Sequence, residues 1–168
     1  MPHSSCPMPI ATISIMNGAY IHLTLNHFPP ILEIVALILL VCGAMWRSDD
    51  VRRAAFVIVL FAAITGVPTY MTGDSAADIV KGMDGVNKAA IGPHDEAAGA
   101  TLVTVALSAV AALFVLIRYR APRTIAAWAN YVVTFLVVIA IFSSVYTAML
   151  GGRIHHPETH MKTTGEKR

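Results

Sequence analysis

Four long apolar runs, separated by short polar connections, dominate the chain. They cover approximately residues 28–46, 54–71, 97–117 and 125–150. Each run is close to the ~20 mainly apolar residues that a helix needs to cross the hydrocarbon core of a bilayer. The pattern therefore predicts an all-α fold, a four-helix transmembrane bundle.

The composition leaves no room for a separate soluble domain. Hydrophobic residues make up 56% of the 168 residues and charged residues 13%, and the mean hydropathy is +0.65, which is too apolar for an ordinary soluble domain. We divide the chain into an N-terminal arm (1–20), a membrane domain (21–152) and a C-terminal tail (153–168). The arm lacks the basic region and clear cleavage site of a signal peptide, so we expect it to be retained as a poorly structured or interfacial segment.

Prolines and glycines predict where the helices begin, kink and end. The prolines at 29–30 fit the first turn of helix one; alternatively, that helix begins near Gly18 and kinks at the prolines. The glycines and proline within 66–73 predict a kink and an end in helix two, and residues 76–83 predict a short surface helix. The glycine pair at 151–152 predicts that helix four ends before the histidine-containing tail.

Arginines are concentrated in the first and third connections. These contain Arg47, Arg52, Arg53, Arg118, Arg120 and Arg123, whereas the second connection contains Lys81 and Lys88. Because Lys and Arg are enriched in short cytoplasmic loops of membrane proteins, we expect the first and third connections in the cytoplasm. Both termini then lie on the periplasmic side of a bacterial inner membrane. Basic residues in the tail weaken this asymmetry slightly.

All seven histidines then lie at or near the outer surface, and separate segments contribute them. Histidines from facing helices can share one site inside a bundle. We predict that His27, His94 and His156 meet there and that at least two of them ligate a metal-containing cofactor. His22 and His155 are further candidates. The structural alternatives are that His27 caps helix one or lies among lipid headgroups, and that the tail histidines are solvated.

Acidic residues near these histidines have structural explanations as well. Asp95 and Glu96 follow His94, and two acids in the first turn of a helix interact favourably with its N-terminus. Glu33 is the only acidic residue well inside an apolar run, where an ionised carboxyl group is costly, so we expect it to face the bundle and to be protonated or paired. It is either a neutral group bonded to Thr, Ser or Tyr of another helix, or a proton-handling group below the histidines.

Four motifs resemble a family of uncharacterised bacterial inner-membrane proteins with four helices, a domain of unknown function. They are HLTLNHFPP in helix one, TGVPTYMTGDSAADIV after helix two, HDEAA before helix three and GGRIHHPE after helix four, together covering residues 21–158. Members commonly open with a histidine followed by His-Phe-Pro. The family's last motif tends to be Gly-Gly-x-Ile-Arg-His-x-Glu; His156 and Glu158 match it, whereas His155 stands where arginine is usual. The resemblance implies a respiratory or redox-associated membrane protein.

The first function that fits is a b-type haem protein that transfers electrons at the periplasmic face, because facing helices can supply histidine ligands and a low-dielectric slot. The bilayer would surround it, and a periplasmic cytochrome, a quinone or a larger respiratory complex would be its partner. Small residues in 97–100 would let the flat macrocycle approach helix three. We expect Tyr70, Met71, Tyr146 and Met149 to line its pocket.

Two other functions stay open, and several are excluded. A non-haem Zn, Cu or Fe site would use three histidines with Asp95, Glu96 or Glu158, and a cofactor-free accessory subunit would pack against a larger complex. The chain has no CxxCH motif for covalent haem, no hydrolase or phosphate-loop motif, and no basic patch for nucleic acid beyond the loops that topology explains. No catalytic residue is assigned, and whether the protein is an enzyme stays open.

Overall fold

The structure is a computed structural model that describes the backbone of residues 10–155 and the side chains of residues 18–155. Within that range every regular element is helical: α1 Ile10–Leu25, α2 Phe28–Met45, α3 Asp49–Met71, α4 Gly73–Lys81, α5 Ile91–Arg118 and α6 Ala127–His155, with a 3₁₀ turn at Lys88–Ala90. The prediction of an all-α fold is confirmed.

Four stretches of helix are long and apolar enough to cross a membrane: Gly18–Met45, Asp49–Lys81, Lys88–Arg118 and Ala127–His155. Large apolar side chains on their outer faces are exposed, for example Ile38, Phe114 and Phe142. Exposure of apolar surface to water costs about 25 cal/mol per Å², and a lipid environment removes this cost. These features fit a multi-pass protein whose outer surface contacts the bilayer.

The beginning of the chain is more helical than the sequence predicted. α1 begins at Ile10, so residues 10–20 are helical rather than poorly structured. The helix is interrupted at Asn26 and His27, and α2 starts with the prolines in its first turn, where the backbone has no intrahelical partner for an N–H group. Pro29 and Pro30 therefore start α2, as the first alternative for helix one predicted, and α1 precedes them as a separate helix that begins at Ile10 rather than near Gly18.

The end of helix two and the short helix after it are confirmed. α3 ends at Met71, and α4 follows as Gly73–Lys81. α4 packs against α1, and Gly18 permits this close approach because a Cβ atom there would lie 2.6 Å from Ser75 Oγ. The histidine-bearing start of the first span is therefore held by a short helix from the second connection.

Two predicted helix ends are wrong. α6 continues through Gly151 and Gly152 to His155, so the glycine pair does not end it. A glycine inside a helix costs about 1 kcal/mol relative to alanine. At Gly151 the missing side chain leaves space for the imidazole of His94. α5 begins at Ile91, so Asp95 and Glu96 lie beyond its first turn and do not face its unpaired N–H groups.

The four spanning helices form a ring in the order α2, α3, α5, α6. α2 packs on α3 and α6, and α5 packs on α3 and α6. α2 and α5 are consequently diagonal, as are α3 and α6. The main buried core fills the interior of this ring, with Leu40, Phe56, Val115 and Val133 among its members.

The two arginine-containing connections meet at one end of the ring. Arg53 donates hydrogen bonds to the backbone carbonyl oxygens of Tyr119 (3.1 Å) and Arg123 (2.7 Å), and Asp49 Oδ2 accepts one from the N–H of Ile125 (3.1 Å). We call this the arginine end. The opposite end, where the second connection meets the end of α6, carries His22, His94 and His155, and we call it the histidine end.

The two halves of the ring repeat one pattern of burial. Interior positions of α2 match those of α5 at the same spacing: Glu33 with Val105, Ala36 with Ser108, Leu40 with Ala112, and Gly43 with Val115. Those of α3 match α6 likewise: Ala55 with Val133, Val59 with Val137, and Ala62 with Ala140. Residues 10–81 therefore form a first unit and residues 91–155 a second unit, each contributing two spans, as in parallel internal repeats.

Candidate functional site

His94, in the first part of α5, lies against α6. Its Nδ1 is 3.0 Å from the backbone carbonyl oxygen of Thr147. A carbonyl oxygen only accepts, so Nδ1 carries the proton, and Nε2 of the neutral ring keeps its lone pair. The ring fits closely because residue 151 is glycine: a Cβ atom there would lie 3.1 Å from His94 Cε1. His94 is therefore held in one orientation with a free basic nitrogen.

His22 is held against α3 in the same way. Its Nδ1 is 2.8 Å from the backbone carbonyl oxygen of Thr69, which again places the proton on Nδ1 and leaves the lone pair on Nε2. Gly73 lies beside this ring, and a Cβ atom there would be 3.8 Å from His22 Cε1, an ordinary contact distance. The two histidines thus share one anchoring arrangement.

The shared arrangement has a sequence signature that pattern analysis missed. The carbonyl group and the glycine that receive each ring belong to one motif, Thr-x-Met-x-Gly, which occurs at Thr69–Gly73 and again at Thr147–Gly151. His22 precedes the interior position Glu33 by the same spacing with which His94 precedes Val105. Comparison of the two halves of the sequence, rather than inspection of each helix, would have found this signature.

The other predicted ligands occupy different surroundings. His27 is the N-cap residue of α2, has no capping hydrogen bond from its side chain and is exposed. His155 ends α6 and is exposed. His156 lies outside the described residues, as do Glu158 and His160. The predicted meeting of His27, His94 and His156 therefore stays a prediction, while the described geometry draws attention to His22.

The residues predicted to line a cofactor pocket lie mostly on the outer surface, and the pocket itself stays a prediction. Met71, Tyr146 and Met149 are exposed, on surfaces that fit contact with lipid. Tyr70 is also partly exposed, but its hydroxyl group lies over α5, where a Cβ atom on Gly99 would be 3.5 Å from Tyr70 Oη. Helical periodicity explains this placement, because residues close to a histidine in sequence point in different directions around the helix.

Glu33 lies in the interior, below the two anchored histidines. Its side chain is fully buried (0% exposed), and its Oε2 accepts a hydrogen bond from Ser144 Oγ of α6 (3.3 Å). Its other oxygen, Oε1, is buried and has no hydrogen-bond partner among the side chains of residues 18–155 or the backbone of residues 10–155. The prediction that Glu33 faces the bundle and bonds a hydroxyl group of another helix is confirmed.

A line of hydroxyl groups continues from Glu33 toward the histidine end. Thr147 follows Ser144 on α6 by one helical turn, and its Oγ1 is 2.8 Å from Thr101 Oγ1 of α5. The backbone carbonyl oxygen of the same Thr147 receives His94. Side chains separated by three residues lie on the same face of a helix, so Glu33, Ser144, Thr147 and His94 form a polar seam between α2, α5 and α6, in which no direct hydrogen bond joins Ser144 to Thr147.

The described side chains include two anchored histidines and no larger cluster of metal-ligating residues. No group of three His, Cys, Asp or Glu side chains that could hold a metal ion occurs among residues 18–155. What these residues do provide is two imidazole rings with free Nε2 atoms, anchored through the carbonyl groups of neighbouring helices. Metal-ligating histidines are commonly anchored in this way, because the second hydrogen bond fixes the ring's tautomer and orientation.

Comparison of the chain with family models, curated proteins and solved structures finds no match. The resemblance to the His-Phe-Pro family stays a prediction, and the chemistry of the site follows from its own geometry.

Proposed function

We propose that the protein is a membrane-embedded b-type haem protein that transfers electrons, with His22 and His94 as the two axial ligands. The observation that carries this proposal is the equivalent anchoring of both rings through Nδ1 to a threonine carbonyl oxygen. An imidazole nitrogen with a free lone pair is the usual axial ligand of haem iron. His27, the ligand expected from the sequence, is exposed and lacks such an anchor.

The donor set and the space around it fit a haem. Glycines stand beside both imidazoles and beside Tyr70, at 73, 151 and 99, so no side chain from those positions fills the space there. Adjacent helices in bundles lie about 8–10 Å apart; His22 belongs to the first unit and His94 to the second, so a group held by both would lie between the two units. The haem would supply one-electron redox chemistry, and the protein would fix its ligands and exclude water.

A haem suits the described residues better than a non-haem metal centre. A macrocycle supplies most of the iron ligands, so two histidines complete the coordination. A non-haem site of Zn, Cu or Fe usually takes three or four protein ligands, and residues 18–155 bring no such group together. The exposed positions of His27 and His155 also give them no anchored orientation.

The orientation in the membrane is part of the proposal. Six arginines occupy the two connections that meet at the arginine end, and positively charged loops favour the cytoplasm. The histidine end and both termini then face the periplasm of a bacterial inner membrane. A centre near that face would exchange electrons with a periplasmic cytochrome, a quinone or a larger respiratory complex.

The first prediction is that purified protein, expressed with ample haem supply, contains one non-covalent haem b. Single substitutions His22→Ala and His94→Ala should each remove most of it, because each deletes one axial ligand. His27→Ala and His155→Ala are the controls and should retain it. Haem content is measured by pyridine haemochrome assay, and ligation by the reduced-minus-oxidised absorption spectrum.

Two results would overturn the proposal. One is an absence of haem in the wild-type protein, in which case elemental analysis of the same sample decides between a non-haem metal and an accessory subunit without cofactor. The other is full haem retention in both His22→Ala and His94→Ala. Loss of haem in His27→Ala, with retention in His22→Ala, would return the ligand role to the residue expected from the sequence.

A further inference from the structure

The repeat between the two units is broken at one interior layer. Where the first unit has Glu33, the second has Val105, and both are buried. Where α3 has Gly66, at the layer three residues before its Thr-x-Met-x-Gly motif, α6 has Ser144. The hydrogen bond between Glu33 and Ser144 therefore occupies a layer that the other pair of helices fills with an apolar side chain and a glycine.

Packing alone does not explain why this layer contains Glu33 and Ser144. The repeat shows that the layer can be filled by Val105 and Gly66 without a polar group. A buried carboxyl group costs stability unless it is fully bonded, and Glu33 Oε1 has no hydrogen-bond partner. The apolar runs 54–71, 97–117 and 127–152 from α3, α5 and α6 contribute no Asp, Glu, Lys, Arg or His around it. Glu33 is thus a single acid in an apolar interior, with one oxygen available.

The polar seam connects this acid to the histidine end. Ser144 Oγ donates to Glu33 Oε2, and Thr147 lies one turn closer to the surface, at a Cβ–Cβ distance of about 5–6 Å. One water molecule can bridge such a gap. The Thr147 hydroxyl group is bonded to that of Thr101. His94 marks the outer end of this seam, and its imidazole is not a proton carrier in the route proposed below.

We propose that Glu33 is a proton-binding site that exchanges its proton with the aqueous phase at the histidine end through the hydroxyl groups of Ser144 and Thr147. In the neutral acid Ser144 Oγ donates to Oε2, so the acidic proton lies on Oε1. Rotation of the carboxyl group turns this proton toward Ser144 Oγ, which accepts it as the Ser144 hydroxyl proton passes to the next group along the seam, and return of a proton by the same steps restores the neutral acid. Neither proton binding nor exchange depends on the proposed haem.

The experiment measures the carboxylic acid directly by infrared spectroscopy of the purified full-length protein in lipid. The C=O stretching band of a protonated carboxyl group should be present at neutral pH in the wild type and absent in Glu33→Gln. In Ser144→Ala the band should move to higher frequency, because the bond to Oε2 is lost. This second variant assigns the band even if the first does not fold.

Exchange is followed by the shift of the same band after H₂O is replaced by D₂O. Ser144→Ala and Thr147→Val should each slow the shift by about tenfold, the factor that corresponds to the loss of one net hydrogen bond in the route. Thr134→Val is the control: it removes a hydroxyl group of the same helix, α6, that donates to Asn130 O and lies outside the seam, so its exchange rate should equal the wild type.

Three outcomes would overturn the proposal. They are a wild-type spectrum without a band that either Glu33→Gln removes or Ser144→Ala shifts, exchange rates unchanged in both seam variants, and equal slowing in Thr134→Val. None of these depends on haem content, so failure here is distinguishable from failure of the haem assignment. A Glu33→Lys variant as stable as the wild type would likewise show that Glu33 faces water.

Discussion

At the scale of single residues, one missing methyl group sets the orientation of His94. Gly151 and Gly152 are adjacent in α6 and share the same helical backbone, yet only Gly151 lies against the imidazole. A Cβ atom at Gly152 would meet nothing within 4 Å. Substitutions at the two positions can therefore distinguish two effects: the free-energy cost of a glycine in a helix, and the space that Gly151 leaves for the His94 ring.

The second prediction uses this pair. Gly152→Ala should stabilise the protein by about 0.5–1 kcal/mol, because alanine is the better helix former. Gly151→Ala should be less stable than Gly152→Ala by about 1 kcal/mol, since a Cβ atom 3.1 Å from His94 Cε1 displaces the ring from its position against Thr147, and it should weaken the binding of any ligand at Nε2. Free energies of unfolding from denaturant titration in detergent test both. Equal stabilities of the two variants would show that His94 does not rest on Gly151.

The surroundings of a residue could be predicted from the sequence where one free-energy cost dominates. An isolated carboxyl group in an apolar run has few affordable environments, so the interior position of Glu33 and its hydroxyl partner were predictable. The choice between His22 and His27 was not, because both lie in the same interrupted segment. It depends on a tertiary partner, the backbone carbonyl oxygen of Thr69 in α3, which receives His22 and is not visible in a local pattern.

At the scale of elements, apolar length predicted the four spans well and their ends poorly. An apolar run marks only the part of a helix that lies in the hydrocarbon core of the bilayer, so it does not show how far the helix continues beyond the membrane surface. The extensions of these spans are held by tertiary contacts: α1 packs against α4, and α6 after Leu150 contacts the ring of His94 and accepts a bond from Asn87 N–H at Ile154 O (3.0 Å). Such tertiary partners are not visible in a local pattern.

The third prediction concerns the contact between the arginine-containing connections. Arg53→Ala should lower the free energy of unfolding by about 1–3 kcal/mol, because the carbonyl groups of Tyr119 and Arg123 lose a charged donor. The matched control is Arg120→Ala, since the Arg120 side chain is exposed in the same connection, and its effect should stay within about 0.5 kcal/mol. If the two substitutions cost the same, the bonds of Arg53 contribute nothing beyond its charge.

At the scale of the whole molecule, the ring joins two similar units of two spans. The sequence predicted the number of spans and the segregation of arginines from histidines. It did not reveal the repeat, because the matched interior positions pair unlike residues such as Leu40 with Ala112. Apart from the Thr-x-Met-x-Gly motif, the equivalence appears when burial is compared position by position, since volume can be redistributed between facing side chains.

The fourth prediction is the topology. Reporter fusions after Asp50 and after Pro122 should report a cytoplasmic location, and fusions within residues 78–88 a periplasmic one, because arginine-rich short loops stay inside. The contact of Arg53 with Tyr119 and Arg123 requires that the first two fusions agree with each other. The opposite pattern would place the histidine end in the cytoplasm and remove periplasmic cytochromes as partners.

The even number of spans in each unit has a consequence for biosynthesis. A hairpin of two spans enters the membrane and returns to the side from which it started, and each hairpin here carries its own arginine-containing connection. Both hairpins can therefore follow the same charge rule during translation, one after the other, without reorientation of the first. An ancestral hairpin could be copied in tandem and still present its histidine on the same side of the membrane. After such a duplication, one pair of helices can have an apolar layer, as at Val105 and Gly66, while the other pair has the polar residues Glu33 and Ser144 at the same layer.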